Sequence, residues 1–211
     1  MKAELMNRMQ EILEEAVAAK ELAGGSLLVR QHGEELCYLQ AGMADREKGE
    51  AVRRDHIYRL YSMSKPVTAA AAMVLFERGQ LDLAEPVSRY LPEFSGQLVE
   101  ENGRLVPAVR EVTVKDLLGM TSGLMYNGNP GLTGAYVTEL FRQVDERLLT
   151  DQAMTTAEIA GALGKGPLAF QPGSSWLYGT SADVLGAVVE AAAGMTSGIS
   201  CKKKISLNRW K

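Results

Sequence analysis

Ser62 and Lys65 stand three residues apart in Tyr61-Ser62-Met63-Ser64-Lys65-Pro66, immediately before the apolar run Val67 to Phe76. On a helix, side chains at i and i+3 share a face, so this spacing lets a serine hydroxyl and a lysine amine exchange a proton. That is the layout of a serine nucleophile activated without histidine. The pattern alone carries little weight. About one S-x-x-K match is expected by chance in a chain of this length, and Ser200-Cys201-Lys202-Lys203 fits it with nothing around it. Pro66 is tolerated only in a first helical turn, which starts the helix near Ser62. A residue before proline is pushed away from helical dihedrals, so the alternative is that Lys65 caps a helix beginning at Pro66. In both arrangements Ser62 lies at the positive end of the helix, where free N–H groups stabilise a developing oxyanion.

A lysine of ordinary pKa, about 10.4, is protonated at neutral pH, and to act as a base it must fall by about 3 units, or about 4 kcal/mol. Leu60, Tyr61 and Val67 are the candidate desolvating neighbours. Tyr178 is the other candidate base. It follows the Pro172-Gly173 turn on a short extended piece and precedes a small-residue helix. A phenol beside a lysine cation ionises below its usual value of about 10. Tyr126 and Asn127, before the glycine-rich stretch Gly128 to Gly134, are placed to line a cleft. The two histidines, His32 in a hairpin turn and His56 in a polar loop, read as surface residues. No G-x-S-x-G elbow, H-E-x-x-H, Cys/His cluster, phosphate-binding loop or dinucleotide fingerprint occurs, so no metal and no cofactor is expected.

The elements that must position these residues follow from the hydrophobic pattern. Leu5, Met9, Ile12, Leu13, Ala16 and Val17 predict an amphipathic helix, ended by Gly24-Gly25. Ser26 to Arg30 and Glu35 to Gln40 predict a hairpin turning at His32-Gly33-Glu34. The Ser62 helix runs to about Arg78. A helical connector follows, bracketed by Pro86 and Pro92, then a short helix at Val112 to Leu118 entered through Thr113. Helices are predicted at Ala135 to Leu148, at Thr156 to Leu163 capped by Thr155 or Thr156 with Glu158 nearby, and at Ser181 to Ala193 before Gly194. At 211 residues and 46% hydrophobic, the chain can bury a real core. A net charge of −3 and no basic stripe argue against nucleic acid. The longest apolar run is half a membrane span, and residues 1–20 lack a secretory h-region. A soluble, cytoplasmic protein is expected, and Cys37 reads as a buried strand residue.

The patterning stops near Gly194. Residues 1–195 read as one domain and residues 196–211 as an aberrant basic tail. Codons permitted by Cys201 to Lys211, read from the third base, encode an ordinary continuation that includes Ile-Phe-Glu-Pro-Leu. The tail is therefore expected to be a frameshift product, which sequencing the open reading frame tests.

Four ordered segments resemble the serine β-lactamase and penicillin-binding-protein-like superfamily, in particular its class C-type and family VIII carboxylesterase branch. They are Tyr58 to Pro66; Arg78 to Val87; Val112 to Leu118 with Thr121-Ser122-Gly123-Leu124; and Tyr178-Gly179-Thr180-Ser181-Ala182-Asp183-Val184-Leu185-Gly186. Met120 stands where a histidine is common. The resemblance implies an α/β fold, an antiparallel sheet flanked by helices plus a helical subdomain. It implies Ser62 as the acylated nucleophile, Lys65 as its proton partner and Tyr178 as the base that also protonates the leaving group. It further implies a small ester or amide substrate and no cofactor. Thr180 occupies the position of the asparagine of the β-lactamase tyrosine motif, which favours an esterase or another hydrolase over an efficient β-lactamase; a β-lactamase or a D-alanyl-D-alanine carboxypeptidase-type hydrolase is the alternative. The third motif, K-T-G, H-T-G or W-x-G on a late strand, does not occur in this sequence. Because that strand supplies the second oxyanion donor, the late sheet strands are expected to be missing and the 211 residues to be poorly active. The rival expectation is a non-catalytic relative that self-associates through an exposed sheet edge.

Overall fold

The computed structural model describes residues 3–194; the basic tail and Cys201 lie outside them. The chain forms two compact units that divide between Leu60 and Tyr61. The first holds α1 (Ala3–Ala18) and a three-stranded antiparallel sheet of β1 (Gly24–Gln31), β2 (Glu34–Asp45) and β3 (Glu50–Ala51), in the order β1-β2-β3. The predicted hairpin is present and turns at His32 and Gly33, both with positive φ, the geometry that matches strand twist. The expected stop at Gly24-Gly25 is corrected. The α1 helix ends at Ala18, and the two glycines open β1 opposite Gly42 and Ala41. Glycine is needed there because a Cβ on Gly24 would lie 2.7 Å from Met43 backbone atoms. Gly25 faces Leu13 of α1, so alternation turns Leu28 to the opposite, exposed face. Cys37 is buried in β2, as expected, beside few other fully buried apolar side chains in this unit.

The second unit is mainly helical. Its helices are α2 (Ser64–Glu77), α3 (Val114–Gly119), α4 (Gly131–Arg147), α5 (Thr156–Lys165) and α6 (Ser181–Ala193). The small hairpin of β4 (Leu98–Glu101) and β5 (Arg104–Pro107) joins them. Its Asn102-Gly103 turn has positive φ at both residues, the geometry favoured in two-residue hairpin loops, although the short flanking strands show no alternation in the sequence. The sequence places the start of α4 at Ala135, yet Gly131 to Gly134 already belong to it. Glycine survives at the start of this helix because the Asn129 backbone presses on Gly134, where a Cβ would meet its carbonyl oxygen at 1.9 Å.

At the centre lies α6, which buries Val184, Leu185, Ala187, Val188 and Val189 and packs on α2, α3 and α5. The buried residues of α2, which packs on it, are Ala71, Ala72 and Leu75, and the two alanines are small enough to let helices carrying site residues approach closely. Phe94, Leu117, Leu163 and Leu168 complete a core with almost no exposed area. Truncating Leu185 leaves a cavity that these neighbours can refill only in part. Leu185→Ala is therefore expected to cost about 2–5 kcal/mol in urea unfolding, whereas Leu28→Ala on the exposed sheet face should stay within about 0.5 kcal/mol.

Candidate active site

Ser62 lies in a single 3-10 turn, Tyr61–Met63, that runs straight into α2. The predicted helix start at Ser62 is thus met by a tighter turn, and Lys65 is already helical as the second residue of α2. Pro66 sits in the first turn, where its missing N–H is harmless. Tyr61 has φ +47°, a left-handed conformation costly for an aromatic residue. It bends the chain so that Ser62 emerges exposed in the first turn, with backbone N–H groups that have no intrahelical acceptor.

Lys65 ties the site together. Its Nζ donates to Ser62 Oγ at 3.2 Å and to the Tyr126 hydroxyl at 2.9 Å. It also lies 4.9 Å from the centroid of the Tyr178 ring and 5.5 Å from that of Tyr126, within cation–π range. The two rings are 5.9 Å apart and tilted by 53°. Burial pulls the lysine pKa down, but the hydroxyls of Tyr126 and Tyr178 outweigh it and leave it above the ordinary value. Conversely, the Ser62 hydroxyl and the Lys65 ammonium hold Tyr178 below the usual phenol range. The surroundings therefore keep the lysine charged and ease ionisation of the tyrosine. The depression that a lysine base requires is not provided. All three residues singled out from the sequence, Ser62, Lys65 and Tyr178, come together, and Tyr126 joins them with a closer role than lining a cleft.

Tyr178 is delivered by a hydrogen-bonded scaffold. The buried Asp116 carboxylate accepts from Arg110 Nη1 at 2.6 Å and Nη2 at 2.9 Å, from the Thr113 N–H at 2.9 Å and hydroxyl at 2.7 Å, and from the Thr121 hydroxyl at 3.1 Å. With Thr113 it forms a capping box that starts α3. The next loop then reaches across: Gly173 N–H donates to the Thr121 carbonyl and Leu177 N–H to the Met120 carbonyl. Beyond it, Gly179 is pressed against Leu124 and Met125, where a Cβ would fall 2.1 Å from the Leu124 carbonyl oxygen. Ser122 and Ser181 share a buried hydrogen bond of 2.8 Å. The Thr180 hydroxyl is fully buried and turned to the Met125 carbonyl at 3.4 Å. Thr180 thus serves the scaffold and presents nothing to the cleft.

His32 occupies its turn as expected. His56 is less exposed than its polar loop implied. Its Nδ1 accepts from the Arg53 N–H and its Nε2 lies 3.1 Å from Glu50, so both ring nitrogens are engaged within residues 50–56. Among the described residues no three potential metal-ligating side chains converge, and no helix is long and apolar enough to cross a membrane.

A serine bonded to a lysine beside two tyrosines, in the turn that heads a helix packed on a second helix, is an arrangement suited to acyl transfer without histidine. The chain belongs to the β-lactamase family, whose profile matches residues 9–206. It is 36% identical over 197 residues to esterase EstB of Burkholderia gladioli, a match covering 91% of this chain and 46% of the esterase. It is 28% identical over 204 residues to monacolin J acid methylbutanoyltransferase of Aspergillus terreus, covering 89% of this chain and 46% of that protein. Among solved structures it resembles EstCE1, a hydrolase with promiscuous acyltransferase activity, with a TM-score of 0.77, 28% identity, and coverage of 97% of this chain and 51% of that one. Simvastatin synthase (LovD) from Aspergillus terreus aligns with a TM-score of 0.74 and 25% identity, covering 97% of this chain and 52% of that one. The chain spans about half the length of the curated relatives it matches. These matches agree with the resemblance read from the sequence.

Two variants test the scaffold. Burial alone would raise the Asp116 pKa, but Arg110 and Thr113 depress it from 3.8 to about 2. A carboxylate whose folded pKa is depressed contributes stability above its unfolded value and loses it as the pH falls through the folded one. With allowance for the half-exposed Arg110, Asp116→Asn should lose about 1–2 kcal/mol at neutral pH. In acid melts the gap from wild type should close between pH 4 and pH 2, following the two values above. Gly179→Ala forces the 178–180 backbone off Leu124. It should lower Tm by several degrees, as expected for about 1–3 kcal/mol of overpacking, and remove reactivity at Ser62.

Proposed function

We propose that this chain acts as a serine hydrolase on small esters through an acyl-enzyme on Ser62, with low activity in these 211 residues because the third motif and its oxyanion donor do not occur in them. The observation that carries the reading is the Lys65 ammonium, bonded to both the Ser62 and Tyr126 hydroxyls and lying by the Tyr178 ring. Tyr178, which ionises more readily than a free phenol, takes the proton from the Ser62 hydroxyl as Oγ attacks the ester carbonyl. The carbonyl electron pair moves onto oxygen, facing the N–H groups of the Ser62 turn. Collapse of this intermediate breaks the bond to the alkoxy group, and Tyr178 returns the proton to the departing alcohol. Water then repeats the sequence on the acyl-serine, freeing the acid and restoring the hydroxyl. Lys65 keeps its charge throughout and offsets the phenolate.

Relationship to an esterase supports ester substrates. The inward-turned Thr180 hydroxyl supports them over β-lactams, since it offers the cleft no amide-recognising group. A second reading is favoured by the relatives named as acyltransferases: an alcohol in place of water as the acyl acceptor. A cytoplasmic location, and self-association through the sheet edge, belong to the same proposal. β1 pairs only with β2 among the described residues.

Intact mass after exposure to a fluorophosphonate tests the nucleophile. One adduct is expected on the wild type and none on Ser62→Ala; an adduct that persists in the variant would overturn the assignment. With short-chain nitrophenyl esters, Tyr178→Phe should lower kcat/KM by about 10²- to 10⁴-fold, and penicillin turnover should stay far below ester turnover. Adding a primary alcohol should divert acyl groups into a new ester if the second reading holds.

A further inference from the structure

The Lys65 ammonium ends a flexible four-carbon stem, so its place beside the Tyr178 ring needs an anchor. Two hydroxyls accept from it, Tyr126 at 2.9 Å and Ser62 at 3.2 Å, and the tyrosine bond is the shorter. Burial would lower the lysine pKa, and the Tyr126 hydroxyl is the largest of the influences that raise it. The two anchors differ in how long they last. Ser62 Oγ is the atom that becomes acylated. In the acyl-enzyme it is an ester oxygen, with lone pairs drawn into the carbonyl and little capacity to accept. Tyr126 takes no part in the covalent chemistry, so its hydroxyl accepts from Lys65 at every stage. Tyr126 is itself held. The Asn129 side chain donates to the Tyr126 carbonyl at 2.9 Å, and the Gly128 N–H donates to the Thr138 hydroxyl of α4 at 3.1 Å. Its neighbours Leu124 and Met125 press against Gly179, the residue after Tyr178. The two tyrosine rings lie 5.9 Å apart, so phenols from two loops bracket one ammonium.

We propose that Tyr126 is a positioning residue whose hydroxyl keeps the Lys65 ammonium beside Tyr178 once Ser62 is acylated, and that it therefore serves hydrolysis of the acyl-enzyme more than its formation. The inference rests on the acyl-enzyme and the Tyr178 base given above. During acylation both hydroxyls hold the ammonium, and losing one leaves the other. During hydrolysis, water adds to the acyl carbonyl and gives its proton to the Tyr178 phenolate. The bond between the acyl carbon and Oγ then breaks, the acid leaves, and Tyr178 returns the proton to Ser62 Oγ. Lys65 must offset the charge on Tyr178 throughout these steps while Tyr126 anchors it. Without that hydroxyl the ammonium turns towards water, the phenolate loses its neighbouring cation, and the acyl group stays on Ser62.

Intact mass separates the two steps. The wild type, Tyr126→Phe and Asn129→Ala, each checked for a cooperative thermal melt, are mixed with nitrophenyl acetate and quenched at intervals. Corrected for any adduct on Ser62→Ala, this gives the rate at which one acetyl group appears on Ser62. Removing excess ester by rapid gel filtration and following loss of the adduct gives the rate of hydrolysis. Tyr126→Phe keeps the ring and removes the acceptor. It should slow loss of the acetyl group by about 10- to 100-fold, as for losing a hydrogen bond to a charged group. It should slow appearance much less, so that acetyl-enzyme accumulates, whereas a merely structural defect would slow both steps alike. Equal slowing of the two steps, unchanged loss, or no acetyl adduct in a folded Tyr126→Phe overturns the proposal. If the wild type still takes a fluorophosphonate on Ser62, the acyl-enzyme reading survives that result; a wild type that takes none overturns both. If Tyr126→Phe fails to fold, Asn129→Ala decides, since it keeps the hydroxyl on a turn that has lost a tie. The proposal then requires slower loss of the acetyl group with a smaller effect on its appearance, and an unchanged ratio overturns it.

Discussion

One buried carboxylate organises the segments on which the site depends. Asp116 accepts from Arg110, Thr113 and Thr121, and so starts α3, closes the loop after it and holds the guanidinium beside the Pro172-Gly173 turn. Gly173 leaves room for that guanidinium, since a Cβ there would lie 2.3 Å from Arg110 Nη2. Burying a charge is costly unless it is paired and hydrogen-bonded. The cost is met here by donors on both sides of α3, Arg110 and Thr113 before it and Thr121 after it, so the carboxylate ties the two ends of that helix together. Tyr178 inherits its place from that arrangement through the backbone bonds of Gly173 and Leu177.

The second organising charge is the Lys65 ammonium, and it does the opposite work. Asp116 is saturated and turned inward, whereas Lys65 is partly exposed and bonded to hydroxyls alone, at Ser62 and Tyr126. A cation so placed lowers the cost of a neighbouring phenolate and keeps its own proton. The division of roles between a permanent cation and a readily ionised phenol follows from that surrounding. In the proposed mechanism the lysine therefore acts as a cation and not as a desolvated base. The α2–α6 contact, built on alanines and on Gly186, brings the helix headed by the Ser62 turn close to the helix that follows Tyr178.

Much of this was legible in local patterns. The Thr113 and Thr155 caps, the end of α6 at Gly194 and the His32-Gly33 turn are decided by residues within a few positions of one another, and the structure reproduces them. Readings failed where a distant backbone overrode a local cue. Gly24-Gly25 looked like a helix stop because glycine breaks helices, yet these glycines are there for the close passage of Met43. Gly131 and Gly134 looked like loop, yet they open α4 where Glu100 and Asn129 crowd them. The β4–β5 hairpin was missed although Asn102-Gly103 marks it, because its strands are too short to show alternation.

By itself the sequence determined which groups are available for chemistry, Ser62 and Lys65 at helical spacing and Tyr178 ahead of a helix, and the family to which their motifs belong. These are properties of short segments, where covalent geometry and capping dominate. Only the tertiary structure brings the Lys65 ammonium against the Tyr126 hydroxyl and the Tyr178 ring, because these groups come from positions far apart in the chain. Tyr126 carries no signal of its bond to Lys65 in its own neighbourhood, and the Thr113–Asp116 spacing announces a helix cap but not the Arg110 and Thr121 bonds that the same carboxylate accepts. What each does is set by the electrostatic field of groups that only folding places within a few ångströms of it.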